Sequence, residues 1–353
     1  MRAVVELSHE LHPDEWAARH AAEEVPDRWP YGLHRLAGHG VQPVLRTPVR
    51  GRAPERIGAA LRNRGGGLEW LDALAGPRAQ RRHADAVLCW DERTGVPAVL
   101  RERISGRRPV ITGVVWLTDR YQVSATAARA ARLALPRAAL VWASSSAMIG
   151  PLVADWGVPA SRVRHIPLGI DPDFFRPRAV HPEPGLVVSA GNDRHRDHDL
   201  LVRAMHQVRR RHVGARAEIA TRLPVRIGPE IGAARSGLHE GQVAGLYARA
   251  SVVAVATMPN VHASGLTVIL EAMACGAPVV VPDNPGLVDY VVPGETGLVY
   301  PVGDEDALAS CLSKLLADPA AGAAMGQAGR RLVEQNYTTE HQAALLAEAM
   351  LAC

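Results

Sequence analysis

The sequence predicts an α/β protein made of two doubly wound parallel-sheet domains. Three observations carry that reading. Helical and strand-like segments alternate along the 353 residues, the pattern of a parallel sheet covered on both faces. The alternation breaks once, in the Pro- and Asp-rich stretch VRHIPLGIDPDFFRP (163–177) and the linker HPEPG (181–185), and then restarts. A chain of this length fits two domains of ordinary size, each with its own core. The expected boundaries are 1–168 and 169–335, with a C-terminal helix in 336–353 packing back towards the first domain.

Each element follows from local pattern. Ala3–Leu7 reads as the first strand, and a polar loop through His9, Glu10 and His12 follows it. That loop lacks the glycines of a phosphate cradle. Tyr31–Gly40 reads as a helix with its stop, and Val41–Leu45 as a strand. Residues 50–67 are rich in Arg and Gly and suggest a mobile loop with a short helix. Leu68–His83, Thr94–Ile104 and Val123–Leu135 read as helices, alternating with strands at Ala86–Trp90, Pro109–Trp116 and Ala138–Ala143.

After the break, strands are expected at Leu186–Ala190, Ala217–Ala220, Val252–Ala256 and Val279–Val281, with helices at Asp199–Arg211 and Gly241–Ala250. Val288–Val291 and Gly297–Val299 read as short extended pieces. Asp304 suits the cap of a helix through Leu316, and Ala320–Glu334 and Glu340–Met350 complete the chain.

Composition narrows the function classes. The net charge is only +4, and Lys314 is the single lysine. The arginines are scattered, with short clusters at Arg81–Arg82 and Arg209–Arg211 that suit solvated helix faces. No aromatic residues interleave with them, so a nucleic-acid partner is not expected. Cys89, Cys275, Cys311 and Cys353 lie far apart and form no metal spacing; reduced thiols are expected. No apolar run approaches the ~20 residues of a membrane span. The N-terminus turns polar after Leu7, unlike a signal peptide. A cytoplasmic location and no bound metal or cofactor are the expectations.

The most informative stretch is HASGLTVILEAMACG (262–276). Leu266, Ile269, Leu270 and Met273 form an apolar stripe at helical spacing. Ser264 is expected to cap the first turn, and Gly276 suits the left-handed position after the last. A helix start offers unpaired N–H groups and partial positive charge, which suit a phosphate. The small residues Ala263, Ser264 and Gly265 would let a ligand approach the backbone. Glu271 lies about 10 Å further along, at 1.5 Å per residue. That offset fits a diphosphate at the tip and a diol beyond it, as in a nucleotide sugar. Spacing alone fits a plain buried helix with a salt-bridged Glu271 equally well.

The run SGLTVILEAMACGAPVVVPDNPGLVDYVVPGETGLVYPVGDEDALA resembles the C-terminal domain of retaining glycosyltransferases of the family-4 type, which have the GT-B fold. IPLGIDPDFF is similar to the family's linker signature, and SAGNDRHRDHDLLVRAM to its first strand–loop–helix of the nucleotide-binding domain. The resemblance covers roughly 138–350 and is weak before that. It implies two Rossmann-like domains facing across a cleft, the second holding a UDP- or GDP-sugar donor and the first an acceptor.

By resemblance, Glu271 matches the glutamate that holds the ribose hydroxyls. Leu266, Thr267 and Val268 match positions whose N–H groups meet the diphosphate. Arg196 matches the basic residue on the diphosphate, Arg222 stands as a second one, and Asn192, Ser264 and Gly265 join the donor site. Arginine can bridge two phosphate oxygens, so its use in place of the family's lysine is chemically sound.

The sequence departs from the family at Ala263, where an earlier glutamate is expected, and in having no evident histidine near Gly113–Trp116. His262 is the neighbour able to stand in for that glutamate. His9, Asp91, Trp116 and Asp119 follow strand ends of the first domain and are candidate acceptor contacts; caps and core are the alternative for each.

The implied activity is transfer of a hexose from a nucleotide sugar to an acceptor hydroxyl with retention; the composition of the compact first domain, poor in aromatic and long apolar stretches, suits a small sugar or cyclitol acceptor. A binding protein that kept the fold but lost the chemistry, and a sugar-nucleotide epimerase, are the alternatives.

Overall fold

A computed structural model of the chain describes residues 1–49, 51–75, 83–105, 108–118 and 123–353. The chain forms two compact units. The first comprises Met1–Arg19, Arg28–Pro167 and Glu340–Cys353, and the second His20–Asp27 and Leu168–Thr339. The expected boundaries put 20–27 with the first domain and break the chain at 335, whereas the second unit takes His20–Asp27 and runs to Thr339. In the structure Asp27 lies in the second unit, where its N–H donates to Asp171 Oδ2 at 3.0 Å.

The first unit holds a sheet of six parallel strands: β1 (Arg2–Glu6), β2 (Gln42–Leu45), β3 (Ala86–Cys89), β4 (Val110–Gly113), β5 (Leu140–Ala143) and β6 (Val163–His165). Their order is β2-β1-β3-β4-β5-β6. The second holds β7 (Leu186–Ala190), β8 (Arg216–Ala220), β9 (Gly232–Arg235), β10 (Val252–Ala254), β11 (Val279–Pro282) and β12 (Gly297–Tyr300). Its order is β12-β11-β10-β7-β8-β9, again all parallel.

Strands buried on both faces need continuous apolar runs. LVVSA and VVVP supply them and are buried throughout. In the second unit Val188, Val253, Val279 and Val281 pack to one face, with Leu266–Ala274 and Glu240–Arg249. Val187, Val252, Ala254 and Val280 pack to the other, with His198–Arg211 and Glu305–Ala317. Helices on both faces of a parallel sheet are the predicted doubly wound arrangement.

Several elements differ from the sequence reading. Pro13–Ala21 is a helix in a stretch to which the sequence pattern assigns no element, and Trp16 is its one buried residue. Arg52–Arg64 is a helix of 13 residues. The segment Pro30–His39 is a 3-10 helix, kinked at Tyr31 and Gly32 and stopped by Gly40 at φ +82. Strand β9 was not anticipated; GAAR is mostly exposed at a sheet edge and has no apolar pattern. Val288–Val291 forms turns rather than a strand. The predicted helix Leu68–His83 is seen as Trp70–Ala75, and 76–82 lie outside the described residues. Among the described residues no helix is long and apolar enough to cross a membrane.

Candidate functional site

In the second unit the strand order reverses at β7, whose neighbours are β8 and β10. Loops leaving the carboxyl ends of β7 and β10 therefore part in opposite directions, which opens a crevice suited to a ligand. Backbone bonds fix the two loops to each other. The N–H of Asp197 donates to Ala256 O at 2.9 Å, and that of Met258 to His195 O at 2.8 Å. Two asparagines shape the β10 loop. Asn284 donates to Thr257 Oγ1 at 2.6 Å, and Asn260 Oδ1 accepts the Ser264 N–H at 2.9 Å.

The loop delivers the chain to the helix Leu266–Ala274. Gly265 is its N-cap, left-handed at φ +97, and makes no side-chain capping bond. The expected Ser264 cap is therefore absent. Its N–H is held by Asn260, and its buried Oγ has no hydrogen-bond partner. The Leu266 N–H is turned back onto Ala263 O at 3.0 Å, leaving Thr267 and Val268 as the other first-turn donors. Gly276 takes the left-handed conformation at φ +77 past the last turn. Seven of the nine helical residues are buried; Thr267 is exposed and Glu271 partly buried.

Arg196 lies across the mouth of this helix. A Cβ on Gly265 would fall 2.5 Å from its Nη1, and one on Gly191 2.5 Å from its Nε. Both glycines have positive φ, so the close approach and the backbone each require Gly there. Arg196 is only 6% exposed. Its Nη2 donates to Ala190 O, while Nε and Nη1 have no hydrogen-bond partner. Burial holds its pKa below the usual arginine value, yet a guanidinium stays charged in proteins. An uncompensated buried cation is costly, so two idle N–H donors at a helix start mark a place for an anion.

Beside it, one carboxylate holds two imidazoles. Asp193 Oδ2 meets His262 Nε2 at 2.8 Å and Oδ1 meets His195 Nδ1 at 3.0 Å. The ligand-type atoms of the three residues lie within 4.8 Å of one another. Burial pushes the Asp193 pKa up, but the hydrogen bonds from His262 and His195 outweigh it and hold the group well below the carboxylate range. His198, beneath Arg196, is pushed down to about 4 by burial and then by the guanidinium charge.

Glu271 is partly buried and accepts from the Tyr247 hydroxyl at Oε2, 3.0 Å away. Desolvation raises its pKa to about 8, against the lowering effect of that hydrogen bond and of Arg196. It makes no salt bridge among the described residues.

The structure thus brings Arg196, Ser264, Gly265, His262 and the helix start together around one crevice. Asn192 and Arg222 are exposed at the ends of β7 and β8, where Asn192 Oδ1 accepts the Arg222 N–H at 2.6 Å. Asp193, His195, Tyr247, Asn260 and Asn284 were missed. Their partners lie 24 to 69 residues away apart from the local contacts, so no spacing pattern reports them.

In the first unit the predicted acceptor residues have mixed positions. His9 follows β1 and pairs through Nδ1 with the buried Glu69 at 2.7 Å. Asp91 is buried and caps the next helix, accepting from the N–H and Nε of Arg93, both at 2.9 Å. That is a structural role. Trp116 is 39% exposed, and its N–H donates to Glu92 Oε1 at 2.7 Å. Glu92 also accepts from Val115 and Leu117, so it shapes the loop carrying Trp116. Asp119 lies outside the described residues.

Residues 184–318 match the family model described as Glycosyl transferases group 1. A GDP-mannose-dependent alpha-(1-6)-phosphatidylinositol monomannoside mannosyltransferase of Mycolicibacterium smegmatis is 31% identical over 217 residues, 54% of this chain and 57% of that protein. A D-inositol 3-phosphate glycosyltransferase of Kribbella flavida is 30% identical over 209 residues, 50% and 48% of the two chains. The chain thus spans about half the length of the curated relatives it matches.

Two solved structures cover nearly all of it. Sucrose-phosphate synthase from Thermosynechococcus elongatus superimposes with a TM-score of 0.73 at 19% identity, covering 99% of this chain and 98% of that one. Anabaena Alr3699/HepE in complex with UDP-glucose gives 0.68 at 16%, covering 100% and 99%. At such identities the likeness shows the fold. Residues 184–318 thus match the Glycosyl transferases group 1 model, in a chain with the GT-B fold.

Proposed function

We propose that this protein is a retaining glycosyltransferase that moves a hexose from a nucleotide-diphosphate sugar to an acceptor hydroxyl. The observation that carries the proposal is Arg196, a buried guanidinium with two unpartnered N–H donors at the mouth of a helix. A diphosphate satisfies both donors at once and takes up the Thr267 and Val268 N–H groups and the Ser264 hydroxyl. Glu271, further along the open side of the same helix, receives the ribose diol. The names of the relatives favour GDP-mannose as donor over UDP-sugars; for the acceptor they name both phosphatidylinositol mannosides and D-inositol 3-phosphate, which share an inositol-based hydroxyl acceptor.

In this reading the acceptor oxygen attacks the anomeric carbon on the face the leaving group departs from. The bond from that carbon to the phosphate oxygen breaks, and the leaving phosphate takes the acceptor's proton. Arg196 and the helix start neutralise the charge that grows on the phosphate. His262, oriented by Asp193, stands at the hexose end, where the family's glutamate is replaced by Ala263. His9 and Trp116 are the acceptor-side contacts.

Product analysis after incubation with GDP-mannose or UDP-glucose and inositol or simple sugar acceptors tests this. A new α-linked glycoside, dependent on Arg196, is expected. Donor binding without transfer to any acceptor would favour a binding protein instead, a reading that Ala263 motivates because its methyl group is buried in the apolar core. Conversion of the donor with no acceptor present would favour an epimerase.

A further inference from the structure

We propose that Tyr247 is a positioning residue for the donor: its hydroxyl fixes one oxygen of Glu271 so that the other is presented to the ligand diol. The inference rests on the nucleotide-sugar reading above and adds to it a residue and a regulatory consequence. Tyr247 lies in the helix Glu240–Arg249, is 1% exposed, and spends its hydroxyl on Glu271 Oε2 at 3.0 Å. A buried phenol needs a hydrogen-bond partner. Here the partner is the one carboxylate on the open side of the Leu266–Ala274 helix. A carboxylate accepts through both oxygens. With Oε2 occupied from the core side, Oε1 is the oxygen left for a pair of hydroxyls, and the phenol fixes its rotamer before the ligand arrives.

The arrangement couples donor binding to a proton. The charged groups around Glu271 are few. Tyr247 and Glu240 come from one neighbouring helix, Arg196 from the β7 loop, and Cys275 follows on its own helix. From Pro319–Asn336, Arg330 is directed to the Ala274 carbonyl at 2.6 Å. Burial dominates this set and raises the Glu271 pKa to about 8, so in this proposal the free protein holds the carboxyl proton at pH 7. A diol donates two hydrogen bonds and therefore selects the ionised form. Binding then expels the carboxyl proton to solvent, and affinity rises with pH until Glu271 is already ionised in the free protein.

Calorimetry with GDP-mannose and UDP-glucose, from pH 6 to 9 in buffers of different ionisation enthalpy, tests the proposal. Both probes carry diphosphate diesters that do not titrate in this range. The wild type is expected to release close to one proton per nucleotide sugar at pH 7, and to gain about tenfold in affinity per pH unit below about pH 8. Tyr247→Phe keeps the ring and loses the hydrogen bond that lowers the Glu271 pKa. Its affinity at pH 7 should fall at least fivefold and its pH limb should move upward, with KM raised more than kcat is lowered. Glu271→Gln should show no limb at all, whatever its absolute affinity.

A Tyr247→Phe protein with native circular dichroism, wild-type affinity and an unmoved limb would overturn the proposal. So would pH-independent binding by the wild type, which would leave the nucleotide-sugar reading intact. Failure of the wild type to bind either probe would remove that reading, and this proposal with it.

Discussion

Replacing Arg196 by Met separates a binding role from a structural one. The guanidinium is buried and makes one bond, to Ala190 O, with Nε and Nη1 idle. Removing an uncompensated buried charge in favour of an apolar side chain of similar volume stabilises by about 1–4 kcal/mol. Leaving the Ala190 carbonyl without its partner costs about 1 kcal/mol or more in return. The free protein should therefore become more stable by roughly 0–3 kcal/mol. Donor binding should move the other way. Two charge-assisted hydrogen bonds to a diphosphate contribute about 1.5–3 kcal/mol each, so affinity should drop at least about a hundredfold. Urea unfolding of the free protein and calorimetry with GDP-mannose and UDP-glucose measure the two effects. A variant that is destabilised by more than about 2 kcal/mol yet binds nucleotide sugars as the wild type does would refute the reasoning, because Arg196 would then be a structural brace.

Three further outcomes follow from the same geometry. Gly265→Ala places a methyl group 2.5 Å from Arg196 Nη1 and 2.6 Å from Val255 Cγ1 at a backbone φ of +97; it should lose at least about 2 kcal/mol of stability by thermal unfolding, together with donor binding. Asp193→Asn should weaken donor binding, because His262 loses its anchor, and should flatten acid unfolding. The Asp193 pKa is depressed in the fold, so its contribution is present above the ordinary carboxylate value of about 4 and is lost as pH falls further; unfolding curves between pH 5 and 2 that superimpose for variant and wild type would count against the pairing. Glu271→Gln removes a group whose folded pKa is raised to about 8. Such a group costs stability as pH rises from its unfolded value to its folded one, so the variant should gain on the wild type progressively between about pH 5 and 8, measured by melting temperature.

The second unit was the more legible part of the chain. Its strands are continuous apolar runs, its helix caps are punctuated by Asp304 and Gly276, and the helix carrying Glu271 has a stripe at i, i+3, i+4 and i+7. Elements without such contrast escaped. Pro13–Ala21 buries only Trp16, Arg52–Arg64 buries only Gly58, and β9 is an exposed edge strand of four small or polar residues. At the site, Arg196 and Glu271 stood out because a motif surrounds each of them. The failed Ser264 cap shows the limit of one-dimensional reading. A left-handed Gly265 ends the loop one residue later, and Asn260, four residues upstream, captures the Ser264 N–H. The Asp193 pairing with His262 spans 69 residues and exists only once β7 and β10 lie side by side.

The most direct test is a crystal structure of the protein with a non-hydrolysable GDP-mannose or UDP-glucose analogue. The diphosphate should lie on Arg196 Nε and Nη1 and the Thr267 and Val268 N–H groups, with the ribose hydroxyls on Glu271 and Tyr247 still bonded to its other oxygen. A nucleotide lodged elsewhere, with Arg196 still covered by Gly191 and Gly265 alone, would contradict the account.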